Sequence, residues 1–130
     1  MREIEFRGKP EKHIKGFGEW VHGHFRWCYP NDYSPEITQW IENESYYATI
    51  PVIKETVGQF TGLLDIKKTE IYDGDIVKVR WGDNEITSYI KFENGGFGFV
   101  FKDEVVVPHW EMEVIGNIHD NPELLEVGDD

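Results

Sequence analysis

At 130 residues the chain has the length of one domain, and with 39% hydrophobic and 15% aromatic residues it is too apolar to stay disordered. No run approaches the ~18 apolar residues of a membrane span, and a lone cysteine, Cys28, excludes an internal disulfide. With no apolar stretch near the N-terminus, a cytoplasmic location is expected. Thirteen basic against twenty-five acidic residues give a net charge of −12. Such a charge repels a phosphate backbone, so ordinary nucleic-acid binding is disfavoured.

The charge is uneven. Residues 1 to 15 carry five basic and three acidic side chains, whereas residues 103 to 130 carry nine acidic side chains and no Lys or Arg. The acidic end reads either as a solvated tail or as a contact surface for a basic partner, including the N-terminal segment of a second copy.

Taken in chain order, the first predicted strand is Ile4 to Arg7, ended by Gly8-Lys9-Pro10. From Glu19 to Cys28 the residues alternate, with Val21, Gly23, Phe25 and Trp27 on one face and Trp20, His22, His24, Arg26 and Cys28 on the other, the period of a strand with one dry face. Residues 34 to 50 admit two readings. Ser34-Pro35 could cap a helix carrying Ile37, Trp40 and Ile41, but Ile37 to Ile41 and Tyr46 to Ile50 also fit a hairpin turning at Glu42 to Ser45, which we favour.

Asp73-Gly74-Asp75 reads as a turn into a strand at Ile76 to Trp81, and Gly82-Asp83-Asn84 as a turn into Ile86 to Phe92. Asn94-Gly95 suits a two-residue hairpin turn, because both central residues need positive φ. The return strand would place Phe97, Phe99 and Phe101 on one face, followed by one or two strands in Val105 to Val107 and Trp110 to Ile115. Asn121-Pro122 could start one helical turn. The expected fold is mainly β, a small antiparallel barrel-like sheet that is SH3-like in the C-terminal half, with at most one or two short helices. As a single domain over 1–130 it would comprise an N-terminal β region (1–62), a β-meander or barrel (63–118) and an acidic tail (119–130).

The candidate chemical groups are sparse. His22 and His24 would project side by side, as two ligands of a metal site would, but no third or fourth ligand stands at recognisable spacing. His13, His109 and His119 stand alone, and Cys28 reads as a structural thiol. Asp73 and Asp75 could be an acid/base or metal pair but fit a turn better, and Gly95 to Gly98 lacks the Lys-Ser/Thr of a phosphate loop. No catalytic, cofactor-binding or metal-ligating residue is therefore assigned. The aromatics, with Trp20, Trp27, Trp40, Trp81, Trp110 and the Tyr46-Tyr47 pair among them, exceed what a small barrel encloses and point to a protein contact.

The blocks Met1 to Lys9, Gly18 to Gly23, Glu55 to Leu63, Glu70 to Val77 and Glu113 to Leu125 occur in an order that resembles the YopX family of phage and prophage proteins. The resemblance implies a small, mainly β, oligomeric protein of bacterial phages, with no catalytic residues to carry over. Where the family commonly has an Asn-Gly turn after Leu63-Leu64-Asp65, this chain has Ile66-Lys67-Lys68-Thr69, which puts the tight turn in doubt. Within the matched blocks Val57, Phe60, Leu63, Ile71, Ile76, Val77, Val114 and Ile115 are expected in the core, and Gln59 and Thr61 at the surface. The leading expectation is a non-enzymatic module that binds protein, itself included. An acidic decoy of a host DNA-binding protein is the alternative, and a metal-dependent enzyme using His22 and His24 comes third.

Overall fold

The computed structural model describes residues 5–27, 39–43, 45, 48–93, 96–101, 104–106 and 111–125. The fold is mainly β, built of two antiparallel sheets, with two short 3-10 turns among the described residues, at Lys54–Thr56 and Pro122–Leu125. The chain divides into two compact units, Met1–Phe60 and Thr61–Asp130, each with its own apolar core.

In the first unit the strands are β1 (Phe6–Gly8), β2 (Val21–Trp27), β3 (Gln39–Asn43) and β4 (Ala48–Pro51), followed by the start of β5 (Gly58–Leu64). They lie in the order β4-β3-β2-β1-β5. The alternation in β2 is the cause of its orientation: Val21 is buried and Phe25 half-buried, while His22, His24 and Arg26 face water. Trp27, on the same face as Val21 and Phe25 by alternation, is 50% exposed at the strand end. β3 and β4 pair antiparallel from Trp40 opposite Pro51 to Asn43 opposite Ala48. Gln39 to Asn43 is strand and not helix, as the hairpin reading requires, but Glu42 and Asn43, expected in its bend, belong to the strand, paired with Thr49 and Ala48.

Val21, Ile41, Ile50 and Val52 form the core of this unit, joined by Phe6, Ile14, Phe17, Ala48 and Val57. Full burial of such a side chain contributes roughly 1.5–3 kcal/mol. Gly8 lets the layers close: a Cβ there would lie 3.1 Å from Val52 Cβ and 3.3 Å from Ile41 Cδ1.

The second unit contains β6 (Glu70–Tyr72), β7 (Asp75–Trp81), β8 (Asn84–Glu93), β9 (Gly96–Phe101), β10 (Glu104–Val106) and β11 (Glu111–Asn117). Its sheet has the order β10-β9-β8-β7-β11, a meander with the last strand returning beside β7. Ile71, Val77, Val79, Ile90, Phe99 and Met112 are its core, and Phe97 and Phe101 pack against it as the alternation in β9 required. The Asn94-Gly95 turn lies outside the described residues, and the strands flanking it pair with Glu93 opposite Gly96. Gly98 sits where a side chain could not, because a Cβ there would overlap the carbonyl oxygen of Val106.

Strand β5 holds the main departure from expectation. Thr61, expected at the surface, is 2% exposed, and Leu63, expected in the core, is 39% exposed. Gly62 between them has φ 87°, which breaks the two-residue alternation of an ordinary strand. Burial of Thr61 is tolerated because its hydroxyl donates to the Ile71 carbonyl at 2.8 Å and accepts the Leu63 N–H at 3.1 Å.

The C-terminal block closes on itself. Asn117 Oδ1 accepts the N–H groups of His119 and Asp120, its Nδ2 donates to Asp120 Oδ2, and its own N–H donates to Asn121 Oδ1. The single helical turn expected after Asn121 is the 3-10 turn Pro122–Leu125, but the Asn121 side chain is directed back to Asn117.

Candidate functional site

The water-facing side of the first unit's sheet carries His22 and His24, the paired histidines of the sequence. Antiparallel register sets Arg7 opposite His22, Glu42 opposite His24 and Trp40 opposite Arg26, so these side chains share one face. The Arg7 guanidinium lies 4.5 Å from the centre of the Trp20 ring and Lys9 Nζ lies 5.6 Å from it, both within cation–π range. Arg26 grips Glu42 through a fork: Nε donates to Oε1 at 2.7 Å and Nη2 to Oε2 at 3.2 Å. Trp40 Nε1 is buried with no hydrogen-bond partner among the described residues.

His22 and His24 are both exposed on this face, side by side as their spacing required. Among the described residues no three His, Cys, Asp or Glu side chains come together in a way that could hold a metal ion. Cys28, His109, Trp110 and the Tyr46-Tyr47 pair lie outside the described residues. His13 is exposed, and His119 is an exposed part of the C-terminal turn. The Asp73-Gly74-Asp75 segment is a turn. Gly74 has φ 93°, and buried Asp75 uses Oδ2 to accept the Tyr72 N–H at 2.7 Å.

The second unit holds an arrangement that motif reading did not single out, the turn joining β5 to β6. Asp65 is 8% exposed and its carboxylate accepts three backbone N–H groups: Lys67 at 2.8 Å and Thr69 at 2.9 Å on Oδ1, and Val114 at 2.9 Å on Oδ2. The tight turn in doubt from the sequence does form, with Asp65 organising it and Lys68 taking the left-handed conformation at φ 65°. The Ile66 N–H donates to the Met112 carbonyl at 3.0 Å. β11 stands at the edge of its sheet, so Met112 and Val114 present backbone groups that would otherwise lack a strand partner, and the turn takes them up. Burial acts to raise the Asp65 carboxyl, but the donors from Val114, Thr69 and Lys67 together outweigh it and hold the group below its ordinary value of 3.8.

Beside this turn runs a chain of ion pairs. Lys67 meets Glu113 at 2.9 Å, Arg80 Nη2 meets Glu113 at 3.3 Å, and Arg80 Nε meets Glu85 at 2.7 Å. The hydrogen bond from Lys67 holds Glu113 below the ordinary carboxylate range, and the same bond raises Lys67. Glu85 is lowered in turn by its bond from Arg80. Each charge in this chain has an opposite neighbour, the arrangement of a structural network and not of an acid/base pair poised for proton transfer.

Against these matched charges stand large apolar side chains left in water. Leu64 is 54% exposed and Ile66 46%, next to the exposed Leu63; Phe92 is 51% exposed, edge-on to Phe97 at 4.8 Å between ring centres. Trp27 is the corresponding side chain of the first unit. The sequence signal for Trp27 and Phe92 was the aromatic excess, whereas no pattern distinguished Leu63, Leu64 and Ile66 from a core run. No helix among the described residues is long and apolar enough to cross a membrane.

A family model described as YopX protein matches residues 18–126. Among solved structures the chain is similar to protein EF1440 from Enterococcus faecalis, with a TM-score of 0.54 and 23% identity over 96% of this chain and 99% of that one. At that identity the likeness concerns the fold. Among proteins with curated descriptions, none matches the chain.

Proposed function

Since the chain belongs to the YopX family, we propose that it is a phage or prophage accessory protein acting as a non-enzymatic interaction module that assembles with copies of itself. The observation that carries this reading is that, among the described residues, each unit leaves large apolar side chains in water: Trp27, 50% exposed, in the first, and Leu63, Leu64, Ile66 and Phe92, 39–54% exposed, in the second. Surfaces of this kind are covered in a complex, because each exposed aromatic or aliphatic group contributes binding free energy only when it leaves water. The polar residues support the same reading. Arg7, Lys9, Arg26, Lys67 and Arg80 are engaged with rings or carboxylates, and the Asp73 to Asp75 segment is spent on a turn.

Light scattering on a sizing column tests the proposal. An oligomer at micromolar concentration is the expected outcome, and a strict monomer at high micromolar concentration would overturn self-assembly. The charge distribution keeps a second reading in view. Residues 61–130 carry sixteen acidic against six basic side chains, so this unit holds −10 of the total charge. A decoy of a basic host protein would draw on that surface, and retention of a basic, DNA-binding partner on the immobilised protein, lost in high salt, would favour it.

A further inference from the structure

The two units are built on one plan. The strands of the first lie in the order β4-β3-β2-β1-β5 and those of the second in the order β10-β9-β8-β7-β11, with every pair antiparallel. The register agrees as well. Gly8 lies opposite Val21 as Val79 lies opposite Ile86, and four residues further along the second strand Phe25 lies opposite Ile41 as Ile90 lies opposite Phe99. Ile41 in turn pairs with Ile50 as Phe99 pairs with Val106. These equivalences set core residue on core residue, and they carry Trp27 and Phe92 to a single position, opposite Gln39 and Phe97 at the end of the core-facing row of the second strand. Trp27 is 50% exposed and Phe92 51%. Single exposed apolar side chains are ordinary, but a large aromatic left in water at the same place in two units is a repeated feature.

We propose that these two strand ends join copies of the chain, the Trp27 end of one copy packing on the Phe92 end of another. The inference rests on the self-assembly proposed above and names its contact. A chain that carries the same aromatic end twice offers two contacts to its own kind, and charge selects the unlike pairing. Residues 1–60 carry nine acidic and seven basic side chains, a net −2, against −10 for residues 61–130. Pairing like with like would set two units of −10 against each other at Phe92. Pairing unlike ends covers both rings at about a fifth of that repulsion. The side chains flanking each ring would enter the contact as neutral pairs, because Arg26 beside Trp27 is bound to Glu42, and Lys91 and Glu93 on either side of Phe92 meet each other at 3.5 Å. Phe97, edge-on to Phe92, holds that ring in place before contact, which lowers the conformational freedom lost on docking.

Complementation between two variants reads the pairing. Trp27→Ser removes one end and keeps the other, and Phe92→Ser does the reverse. Each variant alone should lose the assembled form, with self-association weakened roughly tenfold or more. An equal mixture, with one variant 15N-labelled, should form a mixed-isotope pair in native mass spectrometry, since one intact Trp27 end meets one intact Phe92 end. Restoration in the mixture also shows that both variants are folded. Hydroxyl-radical footprinting of the unaltered chain tests the same contact without a substitution: Trp27 and Phe92 should oxidise more slowly where the chain is assembled than after dilution to monomer. A single variant that keeps the wild-type assembly overturns the proposal, as do oxidation rates at the two rings that are independent of assembly. So does protection that arises only on adding phosphatidylserine vesicles, which would assign the ends to a membrane. The two readings fail differently: a wild-type monomer overturns self-assembly itself, whereas an oligomer whose mass survives either substitution overturns only these ends.

Discussion

Replacing Asp65 by Asn should cost far more than a charge change at an ordinary turn, and the geometry says by how much. Oδ1 could still accept the Lys67 and Thr69 N–H groups, but the other position would become an NH2 facing the Val114 N–H, 2.9 Å from the present Oδ2. A donor would then face a donor. One hydrogen bond to a charged acceptor is lost, worth about 1.5–3 kcal/mol, and the remaining two weaken as the charge goes. We therefore expect Asp65→Asn to destabilise by about 2–3 kcal/mol, and Asp65→Ala by about 3–5 kcal/mol once all three donors lose their partner. With a urea slope of about 1–3 kcal/mol per molar for a protein of this size, the Asn variant should unfold roughly 1–2 M earlier. Because the chain forms two units, the transition should be followed by both far-UV circular dichroism and tryptophan fluorescence, to show whether it is a single step.

The pH dependence supplies the refutation. Asp65 has its carboxyl lowered in the fold, so its contribution is fully present above the unfolded value near 3.8 and is lost as pH falls through the lower folded value. The stability difference between wild type and Asp65→Asn should be flat from pH 7 to about 5 and should shrink as the pH falls below the unfolded value. A variant within 0.5 kcal/mol of wild type at pH 7, or a difference that stays constant into the acid limb, would show that the three donors do not act through the charge.

The sequence reading succeeded where one period governed a segment. The alternation from Val21 to Arg26 put the histidines together on one face, which is the one in water, and that of Phe97, Phe99 and Phe101 placed all three rings on the second core. It failed where one residue interrupts the period. Gly62 at φ 87° turns Thr61 inward and Leu63 outward, and nothing in the side chains of Thr61 or Leu63 signals that exchange. Asp65 escaped for a different reason. Its role depends on Val114, 49 residues away, and a long-range partner has no local signature, so Asp65 looked like one carboxylate among twenty-five acidic residues. The missing Asn-Gly signal pointed to a weak turn, whereas the physical requirement is an acceptor for backbone N–H groups together with one residue able to take positive φ, and Asp65 with Lys68 meets it. The exposed aliphatics were illegible because a strand in water and a strand in the core can have the same composition.

Further expectations follow from single contacts. Thr61→Val should cost about 1–2 kcal/mol by urea unfolding, because it strands the buried Ile71 carbonyl without its hydroxyl donor, 2.8 Å away. Arg26→Gln should change stability by less than about 1 kcal/mol despite its forked bond to Glu42, since its side chain is 59% exposed and water replaces the partner; a larger loss would mean that the first unit's outer face is held by this pair. Gly98→Ala should be the most damaging of the three. The added Cβ would overlap the Val106 carbonyl oxygen and crowd Val105 Cγ1 at 2.6 Å, and relief requires β10 to move off β9. Backbone cannot yield as a side chain does, so we expect a loss of about 3 kcal/mol or more, or failure to pair β10 at all. Hydrogen exchange separates this from a general loosening. Amides of Glu104 to Val106 and their β9 partners should lose protection in Gly98→Ala while those of β2 and β3 keep it, and uniform loss across both units would refute a local clash as the cause.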